Sequence, residues 1–148
     1  MRFQRVNREQ GDKVFVNGRN VSGATVSAHV PVEIDCVVAT AGNAFTACKS
    51  GSLSGLFLGI TDQALADSSY GEVQVYGFRQ SAYISRASAG VVVGSYLQPV
   101  GAYFDNVTMS AATTSGAIMV TLLETITASA AYSSAAQIYT SNVFIRAM

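Results

Sequence analysis

Apolar and polar residues alternate with a period of two in several short segments, and this alternation limits the fold more than any other feature of the chain. The clearest segments are 24–39, 70–78 and 118–124. In the first, Val26 and Val30 share one parity, whereas Thr25 and His29 share the other. A period of two directs alternate side chains to opposite faces of a β-strand, and helical periodicity is nearly absent.

Turn-forming residues separate these segments roughly every 8 to 12 residues, which is typical of antiparallel sandwiches and barrels. The length of 148 residues suits one domain. We therefore predict an all-β fold, a compact antiparallel β-barrel or jelly-roll-like sandwich over 12–148, with an extended N-terminal arm over 1–11. Five of the nine Lys and Arg residues fall within the first nineteen positions, partly offset by Glu9 and Asp12, and three of the five lie in the arm, so we predict a short basic arm. An ordinary solvated terminus is the alternative.

Local signals place the individual strands. Asn17-Gly18 between β-prone residues predicts a hairpin with strands at 12–16 and 19–22, because both residues tolerate positive φ. Pro31 cannot donate to a ladder, so it predicts an edge, a bulge or a bend. The small residues of segment 128–136 indicate one helical turn or a small-residue loop. The remaining predicted strands are 44–48, 56–60, 70–78, 81–86, 90–94, 97–100, 116–127 and 142–145, with an excursion at 62–69.

Charge is scarce, and this predicts association. Only 12% of the residues are charged, 49% are hydrophobic and the formal net charge is zero. An average soluble domain has about 25% charged residues. A surface so poor in charge tends to associate, which favours an oligomer over a sticky monomer. Neutrality gives no global attraction to nucleic acid or to anionic membrane.

The residue types that carry chemistry are few, and we expect neither an enzyme nor a cofactor or metal site. The single histidine, His29, lies on the polar face of its segment and is interpreted as an exposed or interface residue. Cys36 and Cys48 are interpreted as buried free thiols, and a bridge between them stays open. The carboxylate pairs, Glu33 with Asp35 and Asp62 with Asp67, are interpreted as solvated surface groups.

One stretch resembles a known family. Residues 56–85, LFLGITDQALADSSYGEVQVYGFRQSAYIS, combine an apolar strand ending in Gly-Ile-Thr, an Ala/Asp-rich excursion and two glycine-punctuated strands. GVVVGSYLQP (90–99) and VTLLE (120–124) follow the same pattern. Over roughly 45–126 the chain resembles bacteriophage capsid decoration (cement) proteins.

The resemblance implies a structural virion protein on the outer capsid surface. The neutral charge predicts no nucleic-acid or membrane partner, and the lack of a secretory signal pattern predicts synthesis in the host cytoplasm. The resemblance also implies a homotrimer, or less often a dimer, that cross-links major capsid protein subunits. For capsid contact we select the arm residues Arg2, Phe3, Arg5, Val6 and Arg8. Tyr103 and Phe104 are candidate anchors of the oligomer interface, with core packing as their alternative role. The alternative function is a virion fibre, baseplate or carbohydrate-binding module.

Overall fold

A computed structural model describes residues 13–36, 43–48, 57–86, 92–106, 120–126 and 137–147. Within these ranges the chain is all-β and contains no helix, so the predicted fold class is confirmed. Nine strands occur there: β1 (Val14–Asn20), β2 (Pro31–Ile34), β3 (Ala44–Ala47), β4 (Phe57–Thr61), β5 (Tyr70–Arg86), β6 (Tyr96–Val100), β7 (Tyr103–Asn106), β8 (Val120–Leu122) and β9 (Gln137–Arg146).

The strand pairings close two circuits that share β5. The first runs β1–β3–β2–β4–β5 and returns to β1, and the second runs β5–β7–β6–β8–β9 and returns to β5. Strand β5 is 17 residues long, and its first part pairs with β1 while its second part pairs with β9. Most pairings are antiparallel; β1–β3 and β5–β7 are parallel. A sheet that closes on itself gives each member strand two neighbours, which limits edge exposure.

The buried side chains form two clusters. The smaller consists of Val26, Val30, Val32, Phe45, Leu65 and Val73. The larger consists of Cys48, Phe57, Ile60, Ala82, Ile84, Leu97, Phe104, Val120, Leu122, Ile126, Val143 and Ile145. Full burial of one large aliphatic or aromatic side chain stabilises a fold by about 1.5–3 kcal/mol. The period-two alternation thus supplies each cluster with alternate residues of its strands.

The predicted hairpin at Asn17-Gly18 is wrong. Strand β1 runs straight through both residues, with Asn17 opposite Glu72 and Gly18 opposite Gly71 of β5. A Cβ atom on Gly18 would lie 2.6 Å from Cδ1 of Phe45. Glycine is therefore required here for the close approach of an aromatic ring and not for a turn.

Two further sequence predictions change in the structure. The strands predicted at 70–78 and 81–86 are one strand, β5, and the apparent break is a register shift against β9 between Arg79 and Ala82. At Pro31, the bend and bulge predictions are confirmed, because His29 has φ 66° and the register shifts after Val32. The edge prediction is wrong, because β2 lies between β3 and β4.

The strand predicted at 90–94 is wrong, because Val93 and Gly94 form a turn in which Gly94 has φ 85°. The other strand predictions are confirmed in part or in full where the structure describes them. Strands β3, β4, β6 and β9 overlap the predicted segments, and β8 occupies part of 116–127. Residues 62–69 form the predicted excursion between β4 and β5. The arm over 1–11 and the segment 128–136 lie outside the described residues.

Candidate functional site: an apolar outer face

In the second circuit, the residues that are buried in the core determine which side chains point outward. In β9, Val143 and Ile145 are buried in the core, so Phe144 between them points to the opposite face. In β8, Val120 and Leu122 are buried, so Thr121 points outward by the same rule.

The register aligns outward residues of four neighbouring strands into one row. Tyr96 of β6 is opposite Thr121 of β8, Thr121 is opposite Phe144 of β9, and Phe144 is opposite Phe78 of β5. Directly opposite residues share a face, with Cβ atoms about 4.5–5.5 Å apart. The row is therefore a continuous surface, and three of its four members are aromatic.

Further apolar side chains widen this row. The rings of Tyr76 and Phe144 meet edge to face, with centroids 5.3 Å apart. Val14 of β1 is opposite Tyr76, and Leu123 follows Thr121 by two residues. The exposed fractions are 37% for Val14 and Tyr96 and 40% for Leu123. We call the apolar members the outer band: Val14, Tyr76, Phe78, Tyr96, Leu123 and Phe144.

The outer band has the chemistry of a protein–protein contact. None of its members carries a charge, and Arg146, opposite Tyr76, is an exposed cation at its margin. Interface cores are depleted of charge and enriched in Tyr and Phe. Full burial of one such ring removes roughly 150–250 Å² from water. This face can therefore bind another uncharged protein surface.

The residues selected from the sequence for oligomer contacts do not belong to this face. Phe104 is fully buried in the larger core cluster, where its ring meets Phe57 edge to face at 5.8 Å. Its assignment as an interface anchor is wrong, and its alternative role in core packing is the one found. Tyr103 is half-buried on β7 and stays a prediction. Arg2, Phe3, Arg5, Val6 and Arg8 lie outside the described residues.

The outer band escaped the sequence analysis because its members are far apart in the chain. Tyr76, Phe78 and Phe144 each alternate with buried neighbours, and this alternation was visible in the sequence. What brings these residues together is the pairing of β5 with β9. That pairing is not encoded by local periodicity.

A second feature is a group of charged side chains around Arg79, which we call the charged knot: His29, Asp62 and Arg79. The Arg79 residue is only 6% exposed. Its Nη1 is paired with the Asp62 carboxylate, and its Nη2 lies 2.6 Å from His29 Nδ1 and donates to the Thr61 carbonyl at 3.1 Å. A buried guanidinium needs such partners, because an unpaired buried charge is costly.

His29 is half-buried and tightly positioned within the knot. Its backbone N–H donates to the Thr61 carbonyl at 2.9 Å, and its ring meets the Tyr83 ring edge to face at 5.8 Å. Burial, together with the Arg79 charge, lowers the pKa of His29 below its ordinary value of 6.5, while Asp62 acts in the opposite direction. His29 is therefore not a fully exposed residue, because Arg79 and Tyr83 contact it, and its alternative role as an interface residue stays a prediction.

The other polar residues considered as site candidates differ in burial and in hydrogen bonding. Glu33, predicted on a solvated face, is 7% exposed. Asp67 accepts a hydrogen bond from the Gly23 N–H at 2.9 Å. Cys36 and Cys48 do not form a disulfide, and only Cys48 is buried, whereas Cys36 is exposed, so the buried-thiol prediction is wrong for Cys36.

The chain matches no protein-family model and no curated protein. Among the residues that the structure describes, no group of three or more His, Cys, Asp or Glu side chains is placed to hold a metal ion. Across the same ranges, no helix combines the length and the apolar character that a membrane crossing requires.

Proposed function

We propose that this chain is a structural virion protein that decorates a phage capsid from outside and stabilises it by cross-linking major capsid protein subunits. In this proposal it acts as a homo-oligomer, with a trimer expected first and a dimer second. The observation that supports the proposal most is the outer band, an uncharged and aromatic-rich face on a body closed by its own strand pairings.

The mechanism is preferential binding to the assembled shell. A protein that binds the lattice but not its free subunits stabilises the lattice by mass action. An oligomer strengthens this effect, because its second and third contacts form at a high effective concentration. Closed strand circuits suit the role, since a cross-linker must keep its shape while the shell is under load.

The two kinds of contact are assigned to different parts of the chain. We assign the outer band to the neighbouring copy and the basic arm over 1–11 to the capsid. Val14 begins β1 and belongs to the outer band, and the arm precedes β1 in the sequence. An extended arm that orders on the shell could add a strand to the edge of a capsid subunit.

The test uses heads of the phage that encodes the chain, prepared without this protein. The full chain is expected to bind at a saturating and stoichiometric copy number, measured by cosedimentation. The 12–148 truncation is expected to keep the native mass per assembly of the full chain and to lose most of the binding. The triple variant Arg2→Ala, Arg5→Ala, Arg8→Ala is the matched control for charge without truncation, and it is expected to bind more weakly than the full chain because the arm has lost its three positive charges.

Two outcomes separate the parts of the proposal. Equal binding by the truncated and full chains would show that the arm assignment is wrong. A monomeric full chain that binds no shell, or one that instead binds defined glycans on an array, would show that the capsid role itself is wrong and would favour the fibre or carbohydrate-binding alternative.

A further inference from the structure

The charged knot lies where the two strand circuits meet. Thr61 ends β4 and His29 precedes β2, and both strands belong to the first circuit. Arg79 lies on the part of β5 that pairs with β9, opposite Val143, and thus in the second circuit. The Tyr83 N–H, also on this part of β5, faces the His29 carbonyl at 3.5 Å. The knot therefore fastens the turn before β2 to the second circuit.

We propose that His29 is a proton-operated latch between the two strand circuits, whose neutral ring holds the turn at 27–30 against β5 and whose protonated ring releases it. This inference goes beyond the proposed function and does not depend on it.

The neutral ring is required because of the direction of its hydrogen bond. The Arg79 guanidinium only donates, so His29 Nδ1, 2.6 Å from Arg79 Nη2, must accept. Only neutral imidazole has an acceptor nitrogen, and its proton is then on Nε2. A proton taken from water by Nδ1 removes the acceptor and sets two cations against each other. Nothing else changes covalently, and Arg79 keeps its charge.

The groups that face His29 favour the neutral form. Arg79 approaches from β5 and opposes protonation, and Asp62 approaches from the residue after β4 and favours it. Tyr83 contributes only a ring edge from β5. The Asp62 carboxylate is already paired with Arg79, and its side chain is 48% exposed, so solvent screens it. Burial and Arg79 therefore prevail over Asp62.

The turn, and not Arg79, is the part that moves. Arg79 is buried and its Nη2 also donates to the Thr61 carbonyl, so it keeps a partner when the ring leaves. His29 has φ 66°, a left-handed conformation that costs a non-glycine residue free energy. Its departure relieves this strain. The bonds that would open are those of the His29 N–H to Thr61 and of the Tyr83 N–H to His29. Ser27 and Val30, at the two ends of the turn, keep their bonds to the Thr61 hydroxyl, so only the middle of the turn moves.

The latched turn is less stable at low pH than at neutral pH. Folding lowers the pKa of His29, so the latched turn has its full stability above 6.5. As the pH falls below that value, the released form takes up the proton more readily, and latching weakens until the pH passes the folded pKa. Below the folded pKa both forms are protonated and the loss levels off.

The experiment uses the full chain, whose single histidine gives one unambiguous ring signal in NMR. Amide exchange, corrected for the intrinsic rate, is followed at His29 and Tyr83 from about pH 7 to about pH 5. We expect protection at both amides to fall as the pH drops below 6.5 and to level off once the pH has passed the folded pKa of the His29 ring. Protection at Val143 and Ile145, in the core of the second circuit, should stay constant.

The matched variant is His29→Asn, because asparagine tolerates positive φ and does not titrate. Its protection at Tyr83 should be independent of pH. The latch is refuted if His29→Asn shows the same pH dependence as the wild type. It is equally refuted, with the wild type alone, if protection at Tyr83 stays constant while the ring titrates.

Discussion

Glu124 shows what one exposed side chain contributes to this fold. Its carboxylate accepts hydrogen bonds from Ser141 Oγ at 2.5 Å, from the Asn142 N–H at 2.8 Å and from Asn142 Nδ2 at 3.2 Å. These bonds join the segment after β8 to β9. The Ser141 hydroxyl contributes most and the Asn142 N–H next to holding the pKa of Glu124 below its ordinary value of 4.5, against a smaller opposing effect of burial.

We therefore expect Glu124→Ala to lower the free energy of unfolding by about 1 kcal/mol near neutral pH, a value that allows for solvent screening. Because the folded pKa is lowered, this stabilisation is present above 4.5 and is lost as the pH falls through the folded pKa. Urea unfolding at about pH 7 and about pH 3 measures the difference between variant and wild type. Glu72→Ala, an exposed carboxylate on β5, is the control and should change stability by less than about 0.5 kcal/mol. An undiminished difference at acid pH would contradict this account.

Asn20 explains why the first turn was misplaced in the sequence analysis. Its side chain is fully buried, and its Oδ1 accepts from the Ser22 N–H at 3.0 Å. Its Nδ2 donates to three carbonyls, those of Ala24 at 2.8 Å, Leu65 at 2.9 Å and Ala66 at 3.1 Å. The pair Asn17-Gly18 is the strongest local turn signal in this segment. The turn instead forms at Asn20, because its side chain can hydrogen-bond to carbonyls that are distant in the chain. Local sequence cannot distinguish the two, because Leu65 and Ala66 are far away in the chain.

At the scale of elements, the contact between β4 and β5 depends on a glycine. A Cβ atom on Gly59 would overlap the backbone carbonyl of Gln74, and backbone atoms cannot move aside without breaking pairing. A Cβ atom on Gly71 would overlap Cδ2 of Leu65, the far end of a side chain that can rotate. Neither glycine has positive φ, so the two substitutions differ only in what the added methyl group meets.

We expect Gly59→Ala to lower the free energy of unfolding by about 3 kcal/mol and Gly71→Ala by about 1 kcal/mol, within the range of overpacking substitutions. Thermal and urea unfolding of both variants measure this order. Equal losses would show that the approach of β4 to β5 is not limited by the backbone at Gly59.

Strand β5 also shows where periodicity ceases to be informative. The alternation over 70–78 and again over 81–86 predicted the two halves, and both are found. The register shift between them begins at Arg79, whose partners Asp62 and His29 come from other elements. A change of parity within one strand therefore looked like a gap between two strands.

At the scale of the whole molecule, the sequence predicted the all-β class, with a barrel as one of two forms, but it did not predict which strands close the two circuits. Alternation determines which residues of a strand are buried, as Val143 and Ile145 of β9 illustrate. Closure depends on the pairing of β1 and β9 with the same strand, β5. That choice is made by contacts between opposite ends of the chain, which carry no local signature. The outer band is a consequence of this pairing and was hidden for the same reason.

The outer band yields the prediction that concerns the whole assembly. Tyr96→Ser combined with Leu123→Ser removes two of its most exposed members without touching the core. We expect this variant to unfold at nearly the same urea concentration as the wild type. Native mass measurement should show a shift towards the monomer, because the contact between copies has lost apolar side chains. Tyr70→Ser is the matched control, since Tyr70 is 58% exposed on β5 but lies outside the outer band. If Tyr70→Ser dissociates the assembly and the double variant does not, the copies meet through the first circuit, and the outer band must face a different partner.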